Sequence, residues 1–178
     1  SAGTANASPG DVVTIPIRIT NTGDDLQGYS FSLSMPPELI VLDFRPGTDL
    51  QTLNAGAGPD FYATSVYPGQ GVTSGVVISF MGTDWIGQTA DFELHQLDIL
   101  VDPALTTGGV FSLDFVDTIG SPPVVTIVVV PPAVSVDPTR QSGGVDVTGN
   151  VTTYCSGDGR AGVCPCGNPG GAGHGCAN

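Results

Sequence analysis

The chain contains no lysine, and its only cations are four arginines. They face seventeen acidic residues, which gives a formal net charge of −13, although only 12% of the residues are charged. Binding to nucleic acid requires basic side chains that displace counterions from phosphates, and docking on an anionic membrane requires a basic surface as well. The composition therefore excludes both classes of partner.

Long apolar runs and catalytic side chains are also scarce. No stretch of about 18 apolar residues occurs, so we expect no membrane span. The chain has two histidines, no G-x-S-x-G motif and only two glutamates, Glu38 and Glu93, which leaves little material for a nucleophile or for a glycosidase pair of carboxylates. We therefore predict that the chain is not an enzyme.

Alternation of apolar and polar side chains is the main structural signal. Residues 11–20 and 27–35 show it most clearly, which predicts half-buried strands, and Pro16 favours an edge position for the first. Residues 92–101 change phase, which predicts a strand with a β-bulge near His95 and Gln96. Further extended segments are predicted at residues 39–44, 61–62, 66–67, 76–81, 110–116, 124–130, 134–136 and 144–148.

About nine short strands separated by turn residues, with no capped helix, predict an all-β fold. Antiparallel pairing of such strands forms a jelly-roll-like β-sandwich, which we assign to residues 1–149. Composition changes after this point, because eight of the 24 residues from Cys155 onward are glycine. We therefore predict a separate Gly-rich C-terminal tail over residues 150–178.

All four cysteines of the chain lie in this tail. The central C-x-C spacing fits poorly with the C-x2-C pairs of zinc sites, so we predict disulfides. A bridge within the C-x-C pair would strain a short loop, and the other pairings stay open. A cysteine-bearing, lysine-free chain with a small, polar start predicts a secreted protein at the cell surface or outside the cell, its signal peptide removed. The predicted disulfide residues are Cys155, Cys164, Cys166 and Cys176.

The order of these segments resembles cohesin-type modules over residues 5–149. The resemblance rests on a turn-opened first strand (SPGDVVTIPIRITN) and a second strand that runs into a proline, acidic, leucine corner (LQGYSFSLSMPPELIVLDF). The pieces GVVISFMGTD, FELHQLDILVDP and GGVDVTG follow in the expected order. Residues 155–178 separately resemble Gly/Cys-rich segments of large secreted proteins from planctomycete-like bacteria.

The cohesin resemblance implies a nine-stranded sandwich without catalytic activity that binds other proteins in extracellular assemblies. Cohesins bind dockerins through one sheet face. No dockerin calcium loop occurs in this sequence, so a dockerin-like partner would lie on another chain.

The sequence leaves two hypotheses for function. The first is a structural module that self-assembles into a homo-oligomer or filament by strand or tail addition. Its candidate contacts are the N-terminal segment, the tail and the apolar run 124–130, which is predicted to be an interior strand unless another chain covers it. The alternative is a recognition module for a dockerin-like protein or a polysaccharide. The candidate partner contacts are Val124, Val125, Ile127, Val129 and Trp85.

Other residues carry weaker signals. Trp85 is predicted to lie on a loop, where it either forms a sugar platform or, as we favour, plugs the end of the core. His95 is predicted to be a hydrogen-bonded structural residue. We expect no cofactor and no metal, although loop carboxylates leave calcium open. The weak calcium candidates are Asp24, Asp25 and Asp158, with Asp43 and Asp49 as further guesses, and the candidate glycosylation sites are Asn6 and Asn150.

Overall fold

The structure is a computed structural model that describes residues 1–149, and it consists of two β-sheets packed on one core. The predicted all-β sandwich is confirmed, with eleven strands in this range where the sequence predicts nine. The strands are β1 Thr4–Ala7, β2 Val12–Asn21, β3 Gly28–Ser34, β4 Leu39–Pro46, β5 Phe61–Tyr67, β6 Gly71–Val77, β7 Thr89–Val101, β8 Gly109–Val116, β9 Ile127–Val130, β10 Val134–Val136 and β11 Gly143–Val147.

One sheet has eight strands and the other has three. The larger follows the order β1-β11-β8-β3-β6-β5, with β9 paired to β3 and β10 paired to β9, and the smaller follows β2-β7-β4. All pairs are antiparallel except β1 with β11. β8 and β9 both pair with β3, at Ser32–Ser34 and Gly28–Ser30 respectively, so they form one strand line that residues 117–126 interrupt.

Apolar side chains from both sheets fill the space between them. In β3 the predicted alternation holds, because Tyr29, Phe31 and Leu33 point inward and are almost fully buried. Ile15 of β2 and Leu97 of β7 meet them from the smaller sheet and are fully buried as well. The core therefore lies between the two sheets and joins them.

The predicted β-bulge in β7 is present, and it lies at Leu94, one residue before the predicted site. Ile17 pairs with His95 and Arg18 with Glu93, so Leu94 is the extra residue. The bulge lets Leu94 and His95, which are neighbours in sequence, both be buried. This is why the two halves of the strand alternate in opposite phase.

The edge position predicted for β2 is also present, and the N-terminal residues cover that edge. Pro16 has no N–H, but its carbonyl accepts a hydrogen bond from the Gly3 amide at 2.9 Å. The Arg18 amide donates to the Ser1 carbonyl at 2.9 Å. The chain then crosses to the larger sheet as β1, a strand that the alternation pattern does not predict.

Residues 46–81 differ from the sequence prediction. Instead of loops with two short strands, β5 and β6 form a hairpin with continuous pairing from Phe61 to Tyr67. The core strand predicted over residues 76–81 ends at Val77, because a turn follows in which the Gly82 amide donates to the Ser79 carbonyl. The sequence does not predict the single helical turn at Leu50–Thr52, nor the following turn at Leu53–Gly56, in which Asn54 and Ala55 have positive φ.

Within residues 1–149 we find no helix of the length and apolarity that crossing a membrane would require.

Candidate functional site

The outer face of the three-stranded sheet is charged and neutralises its own charges. Arg18 on β2 contacts Asp91 at 3.0 Å and Glu93 at 2.9 Å on β7. Arg45 on β4 contacts Asp43 at 2.9 Å and also pairs with Asp98 of β7.

The Arg45–Asp98 pair shifts the pKa of both groups. Hydrogen bonds from Arg45 and then from Thr14 lower the pKa of the Asp98 carboxyl, and hydrogen bonds to Asp98 and Asp43 raise the pKa of the Arg45 guanidinium. The cations on this face are therefore already paired, which leaves a partner little to bind.

The outer face of the larger sheet is uncharged along β3, β6 and β5, the three strands at one end of its order. The sequences of β3, β6 and β5 are GYSFSLS, GVTSGVV and FYATSVY, and they contain no ionisable group except the tyrosines. Because side chains alternate between faces, the outward positions of β3 are Ser30, Ser32 and Ser34, and they pair with Gly75, Thr73 and Gly71 of β6. A surface without charges loses little hydration energy when a partner covers it.

One half of this uncharged face is covered by residues 117–126, which we name the cover loop. The Ser30 and Ser32 hydroxyls donate to the carbonyls of Val125 and Val124, both at 2.6 Å. Ile119 is 5% exposed but lies outside the core between the sheets, and its Cδ1 would be 2.9 Å from a Cβ on Gly71. The cover loop therefore packs on the outer face, and glycine at position 71 leaves the room for Ile119.

A polar cluster closes the base of the cover loop. The Thr126 amide donates to Asp117 Oδ1 at 2.7 Å, and Arg140 donates to Asp117 Oδ2 at 2.8 Å. These bonds, the Thr126 bond first, lower the pKa of the Asp117 carboxyl. Arg140 also donates to the Thr126 carbonyl at 3.3 Å, so a single guanidinium joins the two ends of the loop.

The other half of the uncharged face is an open apolar groove. Its floor includes Gly28 and Gly75, and a Cβ on Gly75 would meet no atom within 4 Å. Phe80 is 68% exposed and Met81 83%, although both are strongly apolar. The apolar residues that line the groove include Phe61, Val77, Phe80, Met81, Ile127 and Val129.

Exposed apolar groups that share one concave surface are typical of binding sites, whereas scattered ones are ordinary. Methionine and aromatic side chains are also enriched in protein interfaces. The groove is therefore the best candidate for a binding surface in the described part of the chain.

His95 is structural, as its surroundings show. It is fully buried, and its ring nitrogens contact the hydroxyls of Tyr29 at 3.0 Å, Tyr62 at 3.1 Å and Ser74 at 3.1 Å. Burial lowers the pKa of His95 to about 3, so the ring is neutral at physiological pH. Because β7 carries His95 and the larger sheet carries the three hydroxyls, the cluster joins the two sheets.

Trp85 lies on a loop, as predicted, but it does not plug the core. Its side chain is 45% exposed, and the neighbouring Ile86, which is 1% exposed, fills the end of the core instead. The backbone of Ile86 pairs with Leu26 in an isolated bridge, and this pairing positions the loop. Trp85 does not line the apolar groove.

The structure divides the predicted contact residues of the run 124–130. Val124 and Val125 belong to the cover loop, whereas Ile127 and Val129 lie on β9 and line the groove. β9 pairs with β3 on one side and β10 on the other, which confirms its interior position. Strand addition at β9 therefore has no free edge, and only its side chains can contact a partner.

The remaining candidate residues, for metal binding and glycosylation, do not come together in one site within the described residues. Residues 1–149 contain no group of three or more His, Cys, Asp or Glu side chains arranged to hold a metal ion. Asp43 pairs with Arg45, and Asp49 accepts a hydrogen bond from the Glu93 amide at 2.8 Å. Asn6 is exposed on β1. Cys155, Cys164, Cys166, Cys176, Asp158 and Asn150 lie outside the described residues.

Sequence reasoning does not find the apolar groove. The run 76–81 is apolar on both faces and so predicts a core strand, whereas Phe80 and Met81 follow the end of β6 and point to solvent. The signal that could have revealed this is the Gly82-Thr83-Asp84 turn sequence, which marks an exposed loop rather than a buried strand end. The cover loop carries turn residues as well, Gly120 and the pair Pro122-Pro123, but they do not indicate that the loop packs on the outer face of the sheet.

Comparison with solved structures identifies the fold. A cohesin, CaCohA2 from Clostridium acetobutylicum, matches with a TM-score of 0.65 at 20% identity, over 84% of this chain and 90% of that one. This chain has a cohesin-like fold. The third ScaC cohesin of Acetivibrio cellulolyticus, solved in complex with the ScaB dockerin, matches with a TM-score of 0.66 at 17% identity, over 82% of this chain and 95% of that one.

The cohesin-like fold extends to a protein outside the cellulosome. The non-cellulosomal cohesin of the archaeon Archaeoglobus fulgidus matches with a TM-score of 0.61 at 19% identity, over 86% of this chain and 92% of that one. No family model matches the sequence, and no curated protein matches it. The predicted resemblance to cohesins is thus confirmed at the level of the fold.

Proposed function

We propose that this chain is a non-catalytic recognition module that binds a dockerin-like protein through the apolar groove. The observation that carries the proposal is the exposure of Phe80 and Met81 beside an uncharged sheet face in a cohesin-like fold. Solved neighbours with this fold include cohesins in complex with dockerins. The apolar groove supplies the corresponding chemistry on this chain.

The composition of the groove suits a protein partner better than a sugar. Its walls offer aromatic rings and one thioether on a flexible side chain, which together accept apolar side chains of varied shape. Strands β3, β6 and β5 offer no charged group that could bind sugar hydroxyls strongly. With a net charge of −13 on the chain, we expect basic residues at the rim of the partner's binding surface, which would speed association.

The direct test is calorimetric titration of the full chain with a panel of dockerin modules. We expect at least one to bind, and we expect Phe80→Asp or Met81→Asp to weaken that binding by about 100-fold, because each places an unpaired carboxylate in an apolar contact. Arg45→Ala on the opposite face is the matched control and should change affinity less than about twofold. Binding that is insensitive to both groove variants would refute the proposed site, and a panel without any binder would refute the proposed partner.

A polysaccharide is the competing ligand, and Trp85 is the residue that would bind it. Trp85 is half-exposed and lies outside the groove. Binding on a glycan array that Trp85→Ala abolishes, with no dockerin binding, would favour this alternative over the protein partner.

Filament formation has less support from the described residues. Both edges of β9 are paired, and β1 is paired along one side to β11 while the residues before it bond to β2. The tail lies outside the described residues. A secreted, extracellular role accords with a cohesin-like module, and we retain it as part of the proposal.

A further inference from the structure

Five of the described strands lie at sheet edges, and four of them carry features that discourage pairing with another chain. β1 and β10 have only four and three residues. β2 contains Pro16 and is covered by the N-terminal residues. β4 has a bulge at Leu42, contains Asp43 and Arg45, and ends at Pro46. Short length, proline, charge and bulges are the usual protections of an edge strand.

β5 has none of these protections. It runs for seven residues, FYATSVY, without charge, proline, glycine or bulge, and its pairing with β6 is regular throughout. Aromatic and β-branched residues, which favour strands, make up most of it. Among the described strands, β5 is therefore the edge most open to addition of a further strand.

The hydrogen-bonding phase of β5 defines which groups are free. The Ile78 amide donates to the Gln27 carbonyl and the Met35 amide to the Gln70 carbonyl, so the even-numbered residues of β6 bond to β3 and its odd-numbered residues bond to β5. Residues 61, 63, 65 and 67 of β5 are therefore the ones bonded to β6, which agrees with the lack of an N–H on residue 68, a proline, after the last pair. The N–H and C=O groups of Tyr62, Thr64 and Val66 consequently point away from β6.

The sequence of β5 is nearly self-complementary about Thr64. In an antiparallel pair with a second copy, Thr64 would lie opposite Thr64, Ala63 opposite Ser65, Tyr62 opposite Val66, and Phe61 opposite Tyr67. Thr–Thr, aromatic–β-branched and aromatic–aromatic pairs are the favourable cross-strand combinations. This register also aligns the free groups, because Tyr62, Thr64 and Val66 all belong to the outward-pointing set.

Charge favours the same arrangement. The chain has a net charge of −13, which opposes self-association in general, but β5 contributes no charge at its edge. Val66 and Phe61, which are 44% and 47% exposed, would be partly covered by the second copy. A two-fold axis at Thr64 uses the same edge on both chains, so the assembly closes as a dimer rather than growing into a filament.

We propose that two copies of this chain pair through their β5 edges, antiparallel and centred on Thr64, to form one continuous sheet. Of the apolar side chains that line the groove, the dimer covers part of Phe61 only, so Phe80 and Met81 stay open to the dockerin-like partner. The proposal therefore stands or falls separately from the proposed function.

Sedimentation of the full chain from micromolar to millimolar concentration tests the dimer. Reductant is included so that the cysteines cannot link chains covalently. We expect a reversible shift from one chain mass to two. Thr64→Pro removes an outward N–H that β6 does not use, and it should weaken the dimer at least about tenfold, because each copy loses a hydrogen bond. Thr64→Val keeps the N–H and is the matched control. Val66→Pro is a second variant of the same design in case the first folds poorly.

Residue-resolved amide exchange then tests the register. The amides of Tyr62, Thr64 and Val66 should gain protection as concentration rises, whereas those of Ala63 and Ser65 should be protected at every concentration because they bond to β6. A single chain mass at all concentrations would overturn the proposal. So would a dimer whose midpoint neither proline variant moves, or a dimer that leaves the Tyr62, Thr64 and Val66 amides unprotected.

Discussion

The two outer faces of this sandwich differ in whether their side chains already have partners within the chain. On the three-stranded sheet, Arg18 and Arg45 pair with carboxylates on their own or the neighbouring strand. On the eight-stranded sheet, strands β3, β6 and β5 carry no charge, and they present serine, glycine and threonine beneath a cover loop on one half and an apolar groove on the other. The first face is internally satisfied, whereas half of the second is left for a partner.

Because of this difference, we expect substitutions that affect stability and substitutions that affect binding to lie in different parts of the molecule. Exposed ion pairs contribute little to the free energy of folding, so we expect the charged face to add little stability. The stability of the molecule resides in the shared core, and the capacity for binding resides in one half of one face. Substitutions should therefore cost most where the two sheets meet and least on the charged face.

The largest effect is expected at His95, which joins the two sheets. His95→Ala would leave a cavity and remove the shared partner of the Tyr29, Tyr62 and Ser74 hydroxyls. We expect a loss of about 4 kcal/mol in the free energy of unfolding, measured by urea denaturation. His95→Gln keeps two hydrogen-bonding groups and should lose less. Equal losses for the two variants would show that the hydrogen bonds are unimportant.

Acid should lower the stability of the fold through the same residue. Burial lowers the pKa of His95 to about 3 in the folded state, against 6.5 unfolded, so the unfolded chain binds a proton first as the pH falls. Stability is therefore full above about pH 6.5 and declines towards pH 3, with a loss of about 3 kcal/mol between pH 7 and pH 4. Urea midpoints across this range provide the measurement. In His95→Gln the decline above about pH 5 should disappear, and its persistence would assign the decline to other groups.

Much of this core could be predicted from the sequence, because the pattern that indicates it lies among residues close together in the chain. The alternation in β3 and the phase change in β7 both record which side chains face the other sheet, so the strands and the bulge follow directly. Pro16 marks an edge for an equally local reason, because it cannot donate a hydrogen bond.

The binding face could not be predicted in the same way. Phe80 and Met81 continue an apolar run, and only the turn after Ser79 directs them towards solvent. The cover loop depends on contacts between Ile119 and Gly71, which are far apart in the sequence, and no periodicity records such a contact. The β5–β6 hairpin escapes prediction because its glycine and threonine content is typical of loops.

An intermediate effect is expected from Ile119, which holds the cover loop on the uncharged face. Ile119→Ala removes most of its buried side chain, and we expect a loss of about 2 kcal/mol in stability. If the loop then lifts from the sheet, amide exchange should increase for residues 117–126 before it increases for the core. Val125→Ala, which removes an exposed side chain of the same loop, is the control and should have little effect.

The smallest effect is expected on the charged face. Arg45→Ala breaks the pairs with Asp43 and Asp98, yet we expect a loss of no more than about 1 kcal/mol, since these side chains are partly exposed. Added salt should reduce even this difference, measured by urea denaturation at low and high ionic strength. A loss well above this range would contradict the view that the charged face adds little to folding.

The most direct test of the central claim uses the two methionines of the chain, Met81 in the apolar groove and Met35 in the core. Peroxide oxidation of the free protein should modify Met81, which is 83% exposed, and spare Met35, which is 5% exposed, as mass spectrometry of peptides would show. Addition of a saturating dockerin module that binds the chain should protect Met81. If Met81 is oxidised at the same rate in the complex, the partner does not bind in the apolar groove, and the division of the molecule into a satisfied face and a binding face is wrong.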